Sequence, residues 1–232
     1  TNPTKKDVPM KKMNASSRIL VATGIAAAVL AGCASMGGPP TTFFITSANP
    51  TQMTGNLGGL AGADATCEKL AAAVGAGGRN WRAYLSTQAV GGAQAVNARD
   101  RIGNGPWFNS KGVMVAYNLA DLHGTNNINK ETALTEMGEV IPARPDPVNA
   151  HDIMTGSRPD GTAMPPERDA TCSNWTAASG GGAMVGHHNR GGINPDPVAN
   201  VSWNSSHITP GCDKPSLERV GGQGLFYCFA AK

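Results

Sequence analysis

The chain predicts a loop-rich α+β domain, and three observations lead there. Residues 60–74 carry the apolar periodicity of one amphipathic helix. Several short aromatic and β-branched runs have strand character, and no further long helices alternate with them as βαβ units would require. With 30 Gly, 16 Pro and only 15% charged residues, the remainder is built of packed loops rather than a coiled coil or a disordered tail.

The N-terminal stretch stands apart from that domain. Lys11, Lys12 and Arg18 precede an apolar span from Ile19 to Leu30, followed by Leu30-Ala31-Gly32-Cys33. This order resembles a bacterial lipoprotein signal ending in a lipobox. The span falls short of the roughly 20 residues that cross a bilayer. Residues 1–32 are therefore expected to be upstream residues and a removed signal peptide. Cys33 is expected to carry lipid, and residues 33–42 to tether a domain formed by 43–232. Ala34, rather than Asp, resembles the signal that permits sorting to the outer membrane.

The domain opens with Phe43-Phe44-Ile45-Thr46, an aromatic and β-branched strand, and residues 49–59 form a turn-rich loop. In the helix, Leu60, Ala63, Cys67, Leu70, Ala71 and Val74 recur at three- and four-residue spacing, so Cys67 is expected on the buried face. Asp64 is expected in the first turn, against the positive end of the helix dipole, and Gly75, Gly77 and Gly78 end the helix. Residues 81–86 alternate as a strand, and 106–117 form a hairpin turning at Ser110-Lys111-Gly112. Short strands are expected at 152–155, 183–186 and 225–230, with loops between them.

Charge and cysteines narrow the class. The net charge of +3 includes five cations of the removed segment, so the mature domain is close to neutral. Nucleic acid is not an expected partner. Beyond Cys33, the four cysteines Cys67, Cys172, Cys212 and Cys228 suggest two disulfides in an oxidising compartment. Three connectivities are open, and no close CxxC spacing suggests a zinc site.

Four segments together resemble the endostatin-like branch of the C-type-lectin-like fold. They are GNLGGLAGADATCEKLAAAVGAGGRNWRAYLST (55–87), GVMVAYNLADLHG (112–124), DIMTGSRPDGT with CSNWT (152–162 and 172–176), and Cys212 followed by LFYCFA (225–230). The resemblance implies one helix packed on short antiparallel strands. It also implies a nested disulfide pattern, Cys67 with Cys228 and Cys172 with Cys212. Two of the family's sites do not carry over. Residues 34–50 lack the histidines of the animal endostatin zinc site, and Asn194-Pro195-Asp196 and Trp203-Asn204-Ser205 do not match the calcium-dependent sugar motifs.

Candidate site residues are few. His187, His188 and His207, with Asp196 or Asp213, offer metal-ligand chemistry. Adjacent histidines on a strand face opposite ways, and the region is glycine-rich, so solvated loop histidines and no metal are expected. Asp121, Asn126, Asn127, Asn129 and Glu131 could hold calcium, but they follow no calcium-loop motif and Asx turns account for them; no cofactor is expected. Trp107 and Trp175 read as core, whereas Trp203 lies in a polar loop-like stretch and is the better stacking residue. Ligand-binding candidates are thus Trp203, Asn204, His207, His187, His188 and Arg82. No G-x-S-x-G elbow is present, and Asp152, Asp160, Glu167 and Asp169 are expected in loops without a partner acid, so no enzyme is expected. The expected function is an outer-membrane lectin-like lipoprotein that binds glycan or protein through loops 142–211. The alternative is a self-associating structural subunit of a surface assembly.

Overall fold

The structure, a computed structural model, describes residues 1 and 40–231. The chain divides into Thr1–Met36 and Gly37–Lys232, and every element below belongs to the second unit. Residues 2–39, which hold nearly all of the expected signal segment, Cys33 and most of the expected tether, lie outside the described residues. No helix among the described residues is long and apolar enough to cross a membrane.

The fold is mixed α+β with few helices and two disulfides. In chain order the elements are β1 (Phe43–Ile45), α1 (Gly59–Ala73), β2 (Trp81–Ala83), β3 (Trp107–Phe108), β4 (Met114–Ala116), α2 (Leu119–Leu122), β5 (Asp152–Met154), the single turn α3 (Cys172–Trp175), β6 (Met184–His187), α4 (Pro197–Asn200), β7 (His207–Ile208), α5 (Lys214–Val220) and β8 (Gly222–Ala230). The sheet runs β1-β8-β5-β6-β7, with β2 also paired to β8, while β3 and β4 form a separate hairpin. β8 is the spine. Phe229 pairs with Phe43 on one edge and with Arg82 on the other, while the start of β8 runs parallel to β5.

Strand alternation gives the sheet a core on each face. Phe226, Cys228, Phe44, Met154 and Val185 face α1 and the two disulfides. Leu225, Tyr227, Phe229, Phe43, Ile45 and Ile153 face Trp107, Trp203 and the β3–β4 side. A sheet buried on both faces reads as continuous apolar sequence, which is what LFYCFA is.

In α1, Ala63, Cys67 and Ala71 are buried, Leu60 and Leu70 pack at the margin, and Val74 is exposed. The end of α1 is a Schellman arrangement: Gly75 has φ +74°, its N–H donates to Ala72 O (3.1 Å), and Ala76 N–H donates to Ala71 O (2.8 Å). The beginning differs from expectation. The helix starts at Gly59, so Asp64 sits beyond the first turn and does not serve the dipole. Its carboxylate instead accepts from Arg82 (2.9 Å), Arg101 (2.7 Å) and the Ala83 N–H (2.9 Å), fastening α1 to β2.

Cys67 is bonded to Cys228 and Cys172 to Cys212, the pairs the resemblance implies. Cys172 through Trp175 all have positive φ, a left-handed turn that L-residues adopt at a cost. It is held by the disulfide, by Trp175 Nε1 donating to Ser86 O (2.8 Å), and by Leu57 N–H donating to Trp175 O (2.8 Å).

Candidate functional site

The densest chemistry lies at the β5–β6–β7 edge. β5 runs between β8 and β6: Asp152 N–H donates to Gly221 O (3.0 Å), and Asp152 is the register partner of His187. That register brings histidines from three segments onto one carboxylate. His151 Nε2 lies 3.2 Å and His187 Nε2 3.3 Å from Asp152 Oδ1, and His207 Nε2 lies 3.3 Å from Oδ2. The Asp152 side chain is 0% exposed. Neither of its oxygens accepts a well-aligned hydrogen bond. Asp152 begins the strand expected at 152–155 and sits at the centre of a cluster, so it is not the unpartnered loop acid also expected from the sequence.

The outer nitrogens of two rings are already committed. His187 Nδ1 donates to Asn200 O (2.8 Å), and His151 Nδ1 donates to Asn189 Oδ1 (3.1 Å). In a neutral imidazole with Nδ1 protonated, Nε2 carries the lone pair. The two Nε2 atoms facing Asp152 are therefore acceptors unless the ring is cationic. Ser206 Oγ, 3.1 Å from His187 Nε2, brings one hydroxyl to that ring. The His151 and His187 rings stack with centroids 4.3 Å apart.

Burial and the carboxylate pull these groups in different directions. Burial opposes ionisation of Asp152, but the His187 and His207 imidazoles, donors to it when protonated, outweigh burial and hold the carboxyl below its ordinary range. Burial likewise disfavours charge on His207, yet the Asp152 carboxylate prevails and raises that histidine above its ordinary value. For His151 burial wins and the value falls. His188 follows β6; burial pushes it down to about 3, and neither of its ring nitrogens has a partner.

The cluster opens onto a cleft of about 380 Å³. His151, His187 and His207 form its floor, and Arg144, Asn149, Asn194 and Arg219 supply polar walls. Ile193, 84% exposed, and Val220 supply apolar ones. Gly192 makes the floor possible: a Cβ there would stand 2.7 Å from His187 Nδ1. The candidate metal donors are the side chains of His151, Asp152 and His187, whose ligand atoms all lie within 4.8 Å of one another. His207, its side chain 29% exposed, approaches the same carboxylate at its other oxygen.

Several sequence candidates are placed elsewhere. His187 and His188 are 2% and 0% exposed, so they are not solvated loop residues. Trp203 is 3% exposed and packs on Tyr84 (centroids 4.8 Å apart) and Tyr227 (5.1 Å); it is core, not a stacking platform. Asn204, 1% exposed, donates to Tyr84 Oη (3.0 Å), Arg158 O (3.1 Å) and Pro159 O (3.1 Å), which leaves its amide no role as a surface contact. Arg82 is bound to Asp64 at α1 and does not line the cleft. Asp196 and Asp213 cap α4 and α5 instead of joining the histidines. The Asn-rich loop closes on itself, Asn126 Oδ1 accepting from Ile128 N–H (2.9 Å) and Asn129 Oδ1 from Glu131 N–H (3.0 Å), as Asx turns do.

The sequence reading missed His151 and Asp152. The available signal was a charged residue beginning a predicted strand, two positions before Met154 and hence on the same buried face. Compared with known proteins, the chain matches no family model and no curated protein.

Proposed function

We propose that this chain is an exported, lipid-anchored binding module of C-type-lectin-like, endostatin-like fold, seated on the outer membrane and non-catalytic. The observation that carries this reading is the cleft at the β5–β6–β7 edge. Its volume of about 380 Å³ suits one sugar ring or one peptide side chain, within the range of small-molecule sites. Its walls combine an exposed apolar residue, Ile193, with side-chain amides and the guanidinium groups of Arg144 and Arg219. Such a lining suits a polar ligand that presents one apolar face and hydroxyl or acidic groups. Two disulfides and a sheet buried on both faces supply the rigid base, and loops supply the contacts. The disulfides, the order Leu30-Ala31-Gly32-Cys33 and Ala34 support the exported, lipid-anchored part.

The test is a glycan array together with affinity purification of the mature lipoprotein from its own membranes in mild detergent. A bound glycan or stoichiometric partner is expected. Ile193→Ala and Arg219→Ala should each weaken it roughly fivefold or more, the size of a 1 kcal/mol contact, with the melting temperature unmoved. Empty arrays and empty purifications, or binding indifferent to both substitutions, would overturn the assignment.

A further inference from the structure

We propose that His151, Asp152 and His187 bind a divalent transition-metal ion of the zinc class, with the partly exposed His207 completing the site. The inference goes beyond the ligand-binding reading and does not depend on it.

The first support is an accounting of lone pairs. Asp152 has a fully buried carboxylate without an aligned donor on either oxygen. Buried polar atoms are nearly always satisfied, and an orphaned buried charge is costly. Around it stand three imidazole nitrogens: the Nε2 atoms of His151 and His187 beside Oδ1, acceptors in the neutral rings because both donate from Nδ1, and His207 Nε2 beside Oδ2. Three ligand atoms, from His151, Asp152 and His187, thus lie within 4.8 Å of one another in a buried space. A cation between them converts mutual repulsion into coordination.

The second support is spacing. Ligands about 2.0–2.1 Å from a tetrahedral zinc ion stand roughly 3.3 Å from one another. The His151 and His187 Nε2 atoms stand 3.2 and 3.3 Å from Asp152 Oδ1, and His207 Nε2 stands 3.3 Å from the second oxygen, Oδ2. These are poor hydrogen bonds in alignment but suitable ligand–ligand distances. Third, the outer contacts match those that orient metal-bound histidines: a backbone carbonyl for His187 and a side-chain amide oxygen for His151. Fourth, the cleft provides an entry path, and His207, with its side chain 29% exposed, is the ligand that can swing. Imidazole with a single carboxylate favours zinc-class ions over calcium or magnesium, which take oxygen ligands.

The purified chain, stripped with chelator and dialysed, is titrated with Zn²⁺ by calorimetry and with Co²⁺ by visible absorption. One equivalent of metal per chain is expected, with a raised melting temperature and the intense visible bands of four-coordinate Co²⁺. Asp152→Asn should abolish uptake. His207→Ala, at a partly exposed position, should keep the fold and weaken binding at least tenfold. Asn189→Ala, which removes the partner of His151 Nδ1, should weaken it about 10–100-fold. Failure of the folded chain to take up Zn²⁺ or Co²⁺ at micromolar concentration would overturn the proposal, as would uptake that Asp152→Asn and His207→Ala leave unchanged; the cluster would then be an aspartate with a protonated histidine. Glycan or partner binding that persists in the metal-free chain would leave the ligand-binding reading standing whichever way the metal result falls.

Discussion

Tyr84, His123 and Asn204 form a chain of hydrogen bonds in which every partner is satisfied. His123 Nδ1 donates to Leu119 O (2.8 Å), so its Nε2 accepts from Tyr84 Oη (2.8 Å), which in turn accepts from Asn204 Nδ2 (3.0 Å). The arrangement needs a neutral imidazole. Burial lowers the His123 value, the Leu119 carbonyl opposes that shift, and Arg99 and Asp160 act on it from across the loop with opposite signs. A histidine depressed on folding binds fewer protons in the native than in the unfolded chain. Its contribution is therefore complete above the ordinary value of about 6.5 and declines as pH falls through it towards the lowered value. Urea melts between about pH 7 and about pH 5 should show the parent losing more stability than His123→Gln. Equal losses would mean that His123 titrates as it does in the unfolded chain.

Among the elements, β5 and the loop at 189–194 decide whether the cluster exists. β5 fixes Asp152 against His187 by register, and the loop passes over the His187 ring with a glycine at the contact. In Gly192→Ala the new methyl would stand 2.7 Å from His187 Nδ1 and 2.9 Å from Asn200 Oδ1. Since His187 is 2% exposed, its ring has little room to yield. Overpacking of this kind costs about 1–3 kcal/mol, and the substitution should lower the melting temperature and expose His187 to modification by diethyl pyrocarbonate; unchanged reactivity would show that the loop moves instead of the ring. The cores of β5, β6 and β8 were legible because VIMLFYC-type residues cluster there, and α1 was legible from its period. β7 was not, since two residues, His207 and Ile208, are too few to show alternation. Nor was α5, whose seven residues bury only Leu217. The cluster itself was hidden because Asp152, His187 and His207 meet through strand register, which is tertiary information. Trp203 misled for the opposite reason: its neighbours are polar, yet Tyr84 and Tyr227 enclose it.

At the scale of the whole molecule, the two disulfides do different work. Cys67–Cys228 spans 161 residues and joins α1 to the spine strand β8, so it ties nearly the entire domain. Cys172–Cys212 spans 40 residues and closes the segment that carries β6 and β7, hence His187 and His207. By chain entropy the longer bridge is worth about 5 kcal/mol and the shorter about 4 kcal/mol. Similar magnitudes should nevertheless give dissimilar failures. All four cysteines are 0% exposed in one core, so either removal leaves a hole there; removing the first with Cys67→Ala and Cys228→Ala also unties α1 from the spine strand β8, so loss should be global and cooperative. Removing the second with Cys172→Ala and Cys212→Ala releases the left-handed turn, whose backbone is costly without its anchor. The segment from 173 to 211 should then open locally while β1, β2 and β8 stay paired. Limited proteolysis under native conditions separates the two outcomes. Cuts confined to 173–211 are expected in the second variant, and scattered cuts that follow global unfolding in the first. Scattered cuts in both would mean that the cleft-bearing segment is not an independent unit, and that the floor of the cleft shares the stability of the whole domain.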